Sequence, residues 1–493
     1  MNVKGWHGVL VVIIYAITLM VFSIWFSDKQ KAKSSMKGFY LSGGLGSVLL
    51  FFTLFATQYS GNTVVGYPAR AYRLGYAWWQ SVPFMIMVIV GYLVFAPRLH
   101  ILAKKYNFIT PADWLEKRFA NRAVTILGTV LMIYGLSNYL LEQLIAMGNA
   151  ISGLTAGAIP YLYGVIFLVV IMAIYEWIGG MNAVAIADTV NGIAILVGVI
   201  GFVILAVATF GGPLSAANHI AETAPAKIGV PPIQTSINWI SMYILVGVGA
   251  ALYPHAIQRI YAAESEHTLK KALKRMAWMP FITTGLVFFI GIIGIKAFPG
   301  LNTAASEKLV GTMANAIASK SAFNYWMMML LYTGVVGAIM STTDSVLLSL
   351  SSLLSNDIYA RFINPKATDR AKVLWGKIVG LMLIGVLLLI AWKPPATLYE
   401  IFVLKFEILI QIAPAFLIGL YWKRMNSKAV LAGMIAGATI AVYMVSTKTP
   451  TFHGIHAGVI GLFVNTTVSV IGSLLIPVSR TDEAKAGEMI SIN

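Results

Sequence analysis

The 493-residue sequence predicts an all-α polytopic membrane protein with about 13 transmembrane helices. Apolar residues make up 58% of the chain and charged residues only 11%, whereas soluble domains carry about 25% charged residues. The mean hydropathy is +0.80. Apolar runs of spanning length recur along the chain, and they are predicted to be helical because a bilayer offers the backbone no other hydrogen-bond partners. These observations exclude the soluble, disordered and fibrous classes.

The predicted spans follow one another with polar loops between them. The first run starts at Trp6, lacks a small-residue cleavage site and is followed by lysines, so it is predicted to be a span and not a signal peptide. We place the thirteen spans near residues 6–26, 40–66, 79–97, 123–150, 158–177, 184–209, 236–257, 276–298, 323–355, 374–392, 398–421, 429–446 and 456–477.

Positive residues concentrate on one side of the predicted membrane. With the N-terminus outside, 25 of the 35 Lys and Arg residues lie in one set of loops and in the C-terminal tail. That side is predicted to be cytoplasmic, with the C-terminus there too, in a plasma (inner) membrane. The net charge of +17 therefore needs no nucleic-acid partner. The chain has no cysteine, which excludes disulfides, thiolate metal sites and cysteine nucleophiles.

Two of the predicted spans are interrupted in their middles. The second contains the polar, glycine-containing segment Gln58–Thr63, and the seventh contains Tyr253-Pro254-His255. Broken helices at matching positions in two halves are typical of a transporter's midplane site, although a packing kink is the alternative for either one. The breaks predict a 5+5 inverted repeat, near residues 40–210 and 236–421.

The predicted repeat divides the chain into three parts. Residues 1–39 form a leading transmembrane helix and a cytoplasmic loop, and residues 40–425 form the ten-helix core. Residues 426–493 form two trailing transmembrane helices and a cytoplasmic tail. We expect no soluble domain.

Ionisable side chains inside spans are costly, and they are usually functional. The candidates are Glu142, Asp188, Asp344, Lys405 and Glu407. Asp344 follows a run of hydroxyl residues, and this density of oxygen atoms suits a hard cation such as Na⁺. The alternative is that the hydroxyls merely bond helix carbonyls.

Several segments resemble the sodium:solute symporter family. Gly179–Asp188, Ile257–Ala263 and Ala338–Thr342 are similar to its signatures, at the expected positions. Near the C-terminus, Ala391–Pro395 and Gly419–Arg424 are most similar to the pantothenate and monocarboxylate permease branches. The resemblance covers nearly the whole chain in span number and spacing, and it implies a leucine-transporter-like fold.

The resemblance also implies a sodium site between the first broken helix and the ninth span. Backbone carbonyls of Ala56, Tyr59 and Ala338 would join the hydroxyls of Ser341 and Thr342 around the ion.

A possible second cation site comprises Asp188, Asp344 and Ser345, because two nearby carboxylates can bind a cation or share a proton. Asn191 and Tyr253-Pro254 depart from the residues usual in the family. Sodium dependence and coupling stoichiometry are therefore left open.

We expect the solute to contact the breaks and the ionisable residues beside them. This predicted set is Gln58, Thr63, Glu142, Tyr253, His255 and Lys405. For His255 the alternative is an ordinary hydrogen-bonded histidine beside a helix break. Lys405 lies too deep to snorkel, so it needs a carboxylate partner, with Glu142 preferred over Glu407 on a different face. That pair either fixes the last core helix or gives up Lys405 to a substrate carboxylate.

These residues together predict a secondary transporter and not an enzyme. The predicted function is Na⁺-coupled symport of a small organic solute, such as pantothenate, a short monocarboxylate or proline, by alternating access. The alternative is a proton-coupled or ion-independent carrier of the same fold. A phosphate loop for ATP is absent from the sequence. The lipid bilayer and the small-molecule solute are the expected partners, and we infer no obligatory protein partner.

Overall fold

The computed structural model describes residues 5–26, 35–41, 44–178, 180–478 and 480–491, and these are predominantly helical. The α-helices are α1 Gly5–Phe26, α2 Met36–Leu41, α3 Ser47–Gln58, α4 Tyr67–Leu74, α5 Ser81–Tyr106, α6 Pro111–Phe119, α7 Arg122–Leu154, α8 Tyr161–Ile178, α9 Met181–Phe210, α10 Pro213–Thr223, α11 Ile233–Ala251, α12 Pro254–Ala262, α13 Glu266–Met276, α14 Gly285–Ala297, α15 Thr303–Ser306, α16 Leu309–Ala318, α17 Ala322–Ser352, α18 Asp369–Ala391, α19 Leu398–Leu409, α20 Ala413–Leu417, α21 Ser427–Ser446, α22 Ala457–Leu475 and α23 Arg480–Ile490.

Shorter segments of other types connect these helices. The π-helical segments are Asn62–Gly66, Pro280–Thr284 and Leu353–Ile363, and the 3₁₀ segments are Gly75–Gln80, Pro225–Lys227 and Ile410–Ile412. The strands β1 Thr451–Phe452 and β2 Ile455–His456 pair antiparallel as a hairpin.

The prediction of an all-α membrane protein is confirmed. Nine helical stretches in the described part of the chain are long and apolar enough to cross a membrane. Shorter apolar helices occupy three of the other predicted spans, those near residues 6–26, 40–66 and 158–177, and a fourth, Leu309–Ala318, lies between two predicted spans. The number of crossings stays a prediction. Two predicted spans differ in extent: α3 begins at Ser47 and not near residue 40, and the span predicted over 398–421 is divided by a 3₁₀ turn before Pro414 and ends at Leu417.

Both predicted helix breaks are present. At the first, α3 ends at Gln58 and Tyr59 leaves the helical region, with φ −98° and ψ 83°, before the π-helical segment begins at Asn62. At the second, α11 ends at Ala251 and α12 begins at Pro254, where the missing N–H of proline is not needed. The division into inverted repeats stays a prediction.

Helices α9 and α17 come into backbone contact at Gly198 and Gly334. A Cβ atom on Gly334 would lie 2.3 Å from the carbonyl oxygen of Ala194, and one on Gly198 would lie 2.7 Å from that of Leu331. Such spacing leaves no room for any larger residue, so the two backbones are in direct contact. These helices carry Asp188 and Ser341, and their contact fixes the two residues relative to each other.

Helix α19 is placed by its first turn. The Thr397 hydroxyl accepts the N–H of Glu400, and the Glu400 carboxylate accepts the N–H of Thr397 at 2.8 Å, which makes a capping box. This cap fixes where the helix starts and therefore sets Lys405 two turns inside it, on the buried side.

Candidate ion and solute site

Four of the five residues predicted to hold sodium meet beside the first break. The Ser341 hydroxyl donates to the Ala56 carbonyl at 2.9 Å, and the Thr342 hydroxyl lies 3.4 Å from the same oxygen. Ser341 Oγ also lies 3.3 Å from the Ala338 carbonyl. We call these four residues the oxygen cluster. Tyr59 lies at the break itself, where its N–H donates to Phe55 at 3.0 Å and its ring packs on the Phe55 ring.

The chemistry of the oxygen cluster suits a small hard cation. All four residues are fully buried, and each contributes a neutral oxygen atom, either a carbonyl or a hydroxyl. Hard cations prefer such ligands. The carbonyl of Ala56 is accessible to α17 because α3 ends only two residues later.

Asp188 lies in a buried network beside the oxygen cluster. Its Oδ2 accepts a hydrogen bond from Thr53 Oγ1, and it lies 3.2 Å from Arg259 Nη2 and 3.5 Å from Ser345 Oγ. Arg259 also donates to the hydroxyls of Thr53 and Ser345 and to the carbonyl of His255, which ties α12 to α3, α9 and α17.

This network bears on the predicted second cation site. We expect the Asp188 carboxylate to share a cation or a proton with Asp344, and that pairing stays a prediction. Asp188 has a charged partner in Arg259, and the side chains of both are fully buried. The guanidinium contacts Oδ2, whereas Oδ1 has no hydrogen-bond partner among the described residues. From the sequence we expect Arg259 to make a structural salt bridge or a headgroup contact, and the salt bridge is observed.

The predicted pair between Lys405 and Glu142 is confirmed. Lys405 Nζ lies 2.5 Å from Glu142 Oε2, and both side chains are fully buried. Aromatic rings surround the ammonium group: its distance to the ring centre is 3.5 Å for Tyr139, 4.8 Å for Phe402 and 5.2 Å for Phe406. A cation in such a cage is stabilised by the ring faces as well as by its carboxylate.

Several buried polar atoms near the breaks have no hydrogen-bond partner among the described residues. They are Oε1 of Glu142, both ring nitrogens of His255, and both side-chain amide atoms of Asn62. Buried polar groups are nearly always hydrogen-bonded, so a group of unpartnered ones beside two helix breaks indicates a place where a polar ligand binds. For His255, this favours a ligand contact over the alternative of an ordinary hydrogen-bonded histidine.

The other predicted solute residues are buried at the same breaks. The carbonyl oxygen of the Gln58 side chain accepts a hydrogen bond from Tyr92 at 3.3 Å. Thr63 is buried within the π-helical segment. The ring of Tyr253 lies 4.8 Å from that of His255. The structure therefore gathers residues of both breaks into one buried region.

Tyr139 and Asn62 belong to this region but were not predicted. The Tyr139 ring stacks on the Tyr253 ring, with centres 4.8 Å apart and planes inclined by 13°. Its hydroxyl donates to the Thr57 carbonyl at 3.1 Å. A signal was available, because Tyr139 lies three residues before Glu142 and therefore on the same helix face.

Glu407 points away from this region, as predicted. Its carboxylate accepts hydrogen bonds from the backbone N–H of Gly458 and from His456 Nδ1, the latter at 3.0 Å. It therefore connects α19 to the β1–β2 hairpin and to the first turn of α22. A negative charge at that position is stabilised by the dipole of the helix N-terminus.

Comparisons with known proteins agree with this geometry. Residues 39–437 match the Sodium:solute symporter family. The osmoregulated proline transporter of Bacillus subtilis (strain 168) is 26% identical over 469 residues, covering 94% of this chain and 93% of that protein. The sodium/pantothenate symporter of Escherichia coli (strain K12) is 24% identical over 477 residues, covering 94% of this chain and 96% of that protein.

Solved structures show the same fold. The substrate-bound, outward-open structure of a Na⁺-coupled sialic acid symporter superposes with a TM-score of 0.77 at 18% identity, covering 96% of this chain and 98% of that chain. A nucleobase-cation-symport-1 family transporter gives a TM-score of 0.54 at 14% identity, covering 92% and 98%. The predicted leucine-transporter-like fold is therefore confirmed.

Proposed function

The chain belongs to the sodium:solute symporter family, and from this premise we propose that it couples inward movement of Na⁺ to uptake of a small organic carboxylate. The family and the fold support a secondary transporter of the membrane, not an enzyme. The identity of the coupling ion and the chemical class of the solute go beyond the family and the fold, and they are our proposal.

One observation supports sodium coupling more than any other. The Ala56 carbonyl, freed by the first break, lies 2.9 Å from Ser341 Oγ and 3.4 Å from Thr342 Oγ1 on another helix. A cation held between them would draw α3 and α17 together. Binding of the ion would therefore favour one arrangement of the two helices over another, which coupled transport requires.

The charge beside the breaks supports a carboxylate solute. Lys405 supplies an ammonium group in a fully buried site, and His255 and Asn62 supply donors that have no partner among the residues described. A solute carboxylate could bind these groups without leaving a buried charge unbalanced, because the co-transported Na⁺ carries the opposite charge. Pantothenate, a short monocarboxylate and proline all carry this group.

Proton coupling is the second candidate. Two buried ion pairs, Glu142 with Lys405 and Asp188 with Arg259, contain carboxylates that could take up a proton if their partner moved away. In that case a pH gradient, and not a Na⁺ gradient, would drive uptake.

Uptake into proteoliposomes separates the two candidates. Vesicles loaded with K⁺ buffer would be diluted into Na⁺ buffer, K⁺ buffer or acidic K⁺ buffer, each with labelled L-proline, pantothenate or pyruvate. We expect the labelled solute to accumulate only with the Na⁺ gradient, and we expect Ser341→Ala to reduce that Na⁺-driven accumulation. Accumulation driven by acid alone would refute sodium coupling.

The orientation of the chain is part of the same proposal. The distribution of Lys and Arg favours an N-terminus outside the plasma membrane and a C-terminus in the cytoplasm. Modification of a single cysteine introduced near either end, with a membrane-impermeant reagent on intact cells, tests this directly because the natural chain has no cysteine.

A further inference from the structure

Tyr139 occupies the point where the oxygen cluster, both breaks and the Lys405 pair come together. It lies in the middle of α7 and is fully buried. Its hydroxyl and its ring contact different parts of the site.

The hydroxyl end of Tyr139 contacts the first break and the oxygen cluster. It donates to the Thr57 carbonyl at 3.1 Å, one residue beyond Ala56. The hydroxyls of Ser60, within the break, and of Thr342 lie near it. Any rearrangement of the oxygen cluster therefore changes the hydrogen bonds available to Tyr139.

The ring end contacts the groups predicted to bind solute. The Lys405 ammonium lies 3.5 Å from the ring centre, the Tyr253 ring stacks at 4.8 Å and the His255 ring lies at 5.6 Å. A small tilt of the Tyr139 ring would change all three contacts at once.

We propose that Tyr139 is the positioning residue through which occupation of the ion site alters the solute site, an inference that rests on the proposed function. In the structure, Ser341 donates its hydrogen to Ala56, and Thr342 faces the same carbonyl. A cation among these oxygens requires that both hydrogens turn away from it. The Thr342 hydrogen then has the Tyr139 oxygen as an acceptor.

That new hydrogen bond holds the ring of Tyr139 in place. Its hydroxyl would then accept from Thr342 while it donates to Thr57, and hydrogen bonds in such a chain strengthen one another. The ring stays against Lys405 and Tyr253, in the position that presents them to the solute. Because coupling is reciprocal, a bound solute that fixes the ring would raise the affinity for the ion by the same factor.

The test removes only the hydroxyl group of Tyr139. Tyr139→Phe keeps the ring, its stacking and its contact with Lys405, and it removes only the hydrogen-bonding end. Tyr332→Phe is a matched control, since Tyr332 is also fully buried and donates its hydroxyl to a backbone carbonyl of α7, that of Ala150, at 2.7 Å.

A cysteine placed in the π-helical segment reports on the solute side without any knowledge of the solute. Val65→Cys changes one small buried apolar residue in a chain with no other cysteine. N-ethylmaleimide labels it only when the segment opens. We expect Na⁺, compared with K⁺, to slow labelling roughly fivefold, the ratio that corresponds to one hydrogen bond. This effect should disappear in Tyr139→Phe and persist in Tyr332→Phe.

The outcomes distinguish the inference from the proposal beneath it. An undiminished Na⁺ effect in Tyr139→Phe overturns the coupling role, as does an equal loss in both tyrosine variants. No Na⁺ effect in the Val65→Cys variant with Tyr139 intact overturns sodium coupling itself, and the role of Tyr139 with it. If Tyr139→Phe does not fold, Ser60→Ala removes another hydroxyl from the same contact and should also reduce the Na⁺ effect, whereas an unchanged effect would overturn the role.

Discussion

Replacing Lys405 with methionine removes the cation from a fully buried pair and leaves the Glu142 carboxylate alone. Removing one member of a buried pair typically costs about 3–5 kcal/mol. The loss of stability cannot exceed the free energy needed to protonate the Glu142 carboxylate, because a protonated carboxyl group carries no buried charge. From an ordinary carboxyl pKa of about 4.3, protonation at pH 7 costs about 4 kcal/mol. Methionine keeps most of the packing against the aromatic rings, so we expect a loss near 3 kcal/mol.

Thermal unfolding of the purified protein in detergent measures this loss. Unfolding entropy is about 2.1 cal/mol/K per residue, or roughly 1 kcal/mol/K for the whole chain, so Tm should fall by about 3 °C. The double variant Lys405→Met/Glu142→Gln should recover more than half of that. The control is Lys296→Met, which removes a lysine whose hydrogen bond to Ser215 is solvent-exposed and should change Tm by less than about 1 °C.

The pH dependence provides a second check on the same reasoning. Protonating the stranded carboxylate becomes easier by about 1.4 kcal/mol for each unit of pH. The Tm deficit of Lys405→Met should therefore be smaller at pH 5.5 than at pH 7.5, and the double variant should show no such trend. A single variant with the parental Tm and no rescue would refute this account of the pair's stability; the half-saturation for solute is measured separately, as the test of solute binding by Lys405.

Three further perturbations address the rest of the site. Ser341→Ala and Thr342→Ala should each raise the Na⁺ concentration for half-maximal uptake roughly tenfold, and unchanged values would show that the ion binds elsewhere. Arg259→Met should lower Tm by about 3 °C, and adding Asp188→Asn should restore most of it; additive losses in unfolding scans would contradict their pairing. Glu407→Gln should speed amide hydrogen exchange in the β1–β2 hairpin, whereas exchange at the parent rate would mean that the carboxylate does not hold it.

The sequence predicts the parts of this site that carry a strong local signal. Pro254 interrupts a run of apolar residues, and Lys405 and Glu142 are charges at similar depth in two spans, so both the break and the pair could be inferred. For Arg259 the sequence favours a salt bridge or a headgroup contact, but it does not indicate Asp188 as the partner. The burial of Arg259 depends on how α12 packs against α3 and α9.

Tyr139 was missed for a different physical reason. Its spacing from Glu142 places it on the same face of α7, but an uncharged tyrosine in an apolar helix also fits an ordinary core position. Its contacts with both breaks depend on residues from other helices. Ser345, which was grouped with Asp188 and Asp344 in the predicted second cation site, lies 3.5 Å from Asp188 Oδ2. The pairing of Asp188 with Asp344 stays a prediction.

The glycine contact between α9 and α17 has a practical use in measurement. Gly198 and Gly334 bring two backbones together with no side chain between them at this point, so close packing resists displacement of one helix against the other. Labels placed on the outer ends of α9 and α17 should therefore keep a constant separation under every ionic condition. Distances from this pair to α3 or α12 then report displacements of α3 or α12, because the constant distance between α9 and α17 serves as an internal reference.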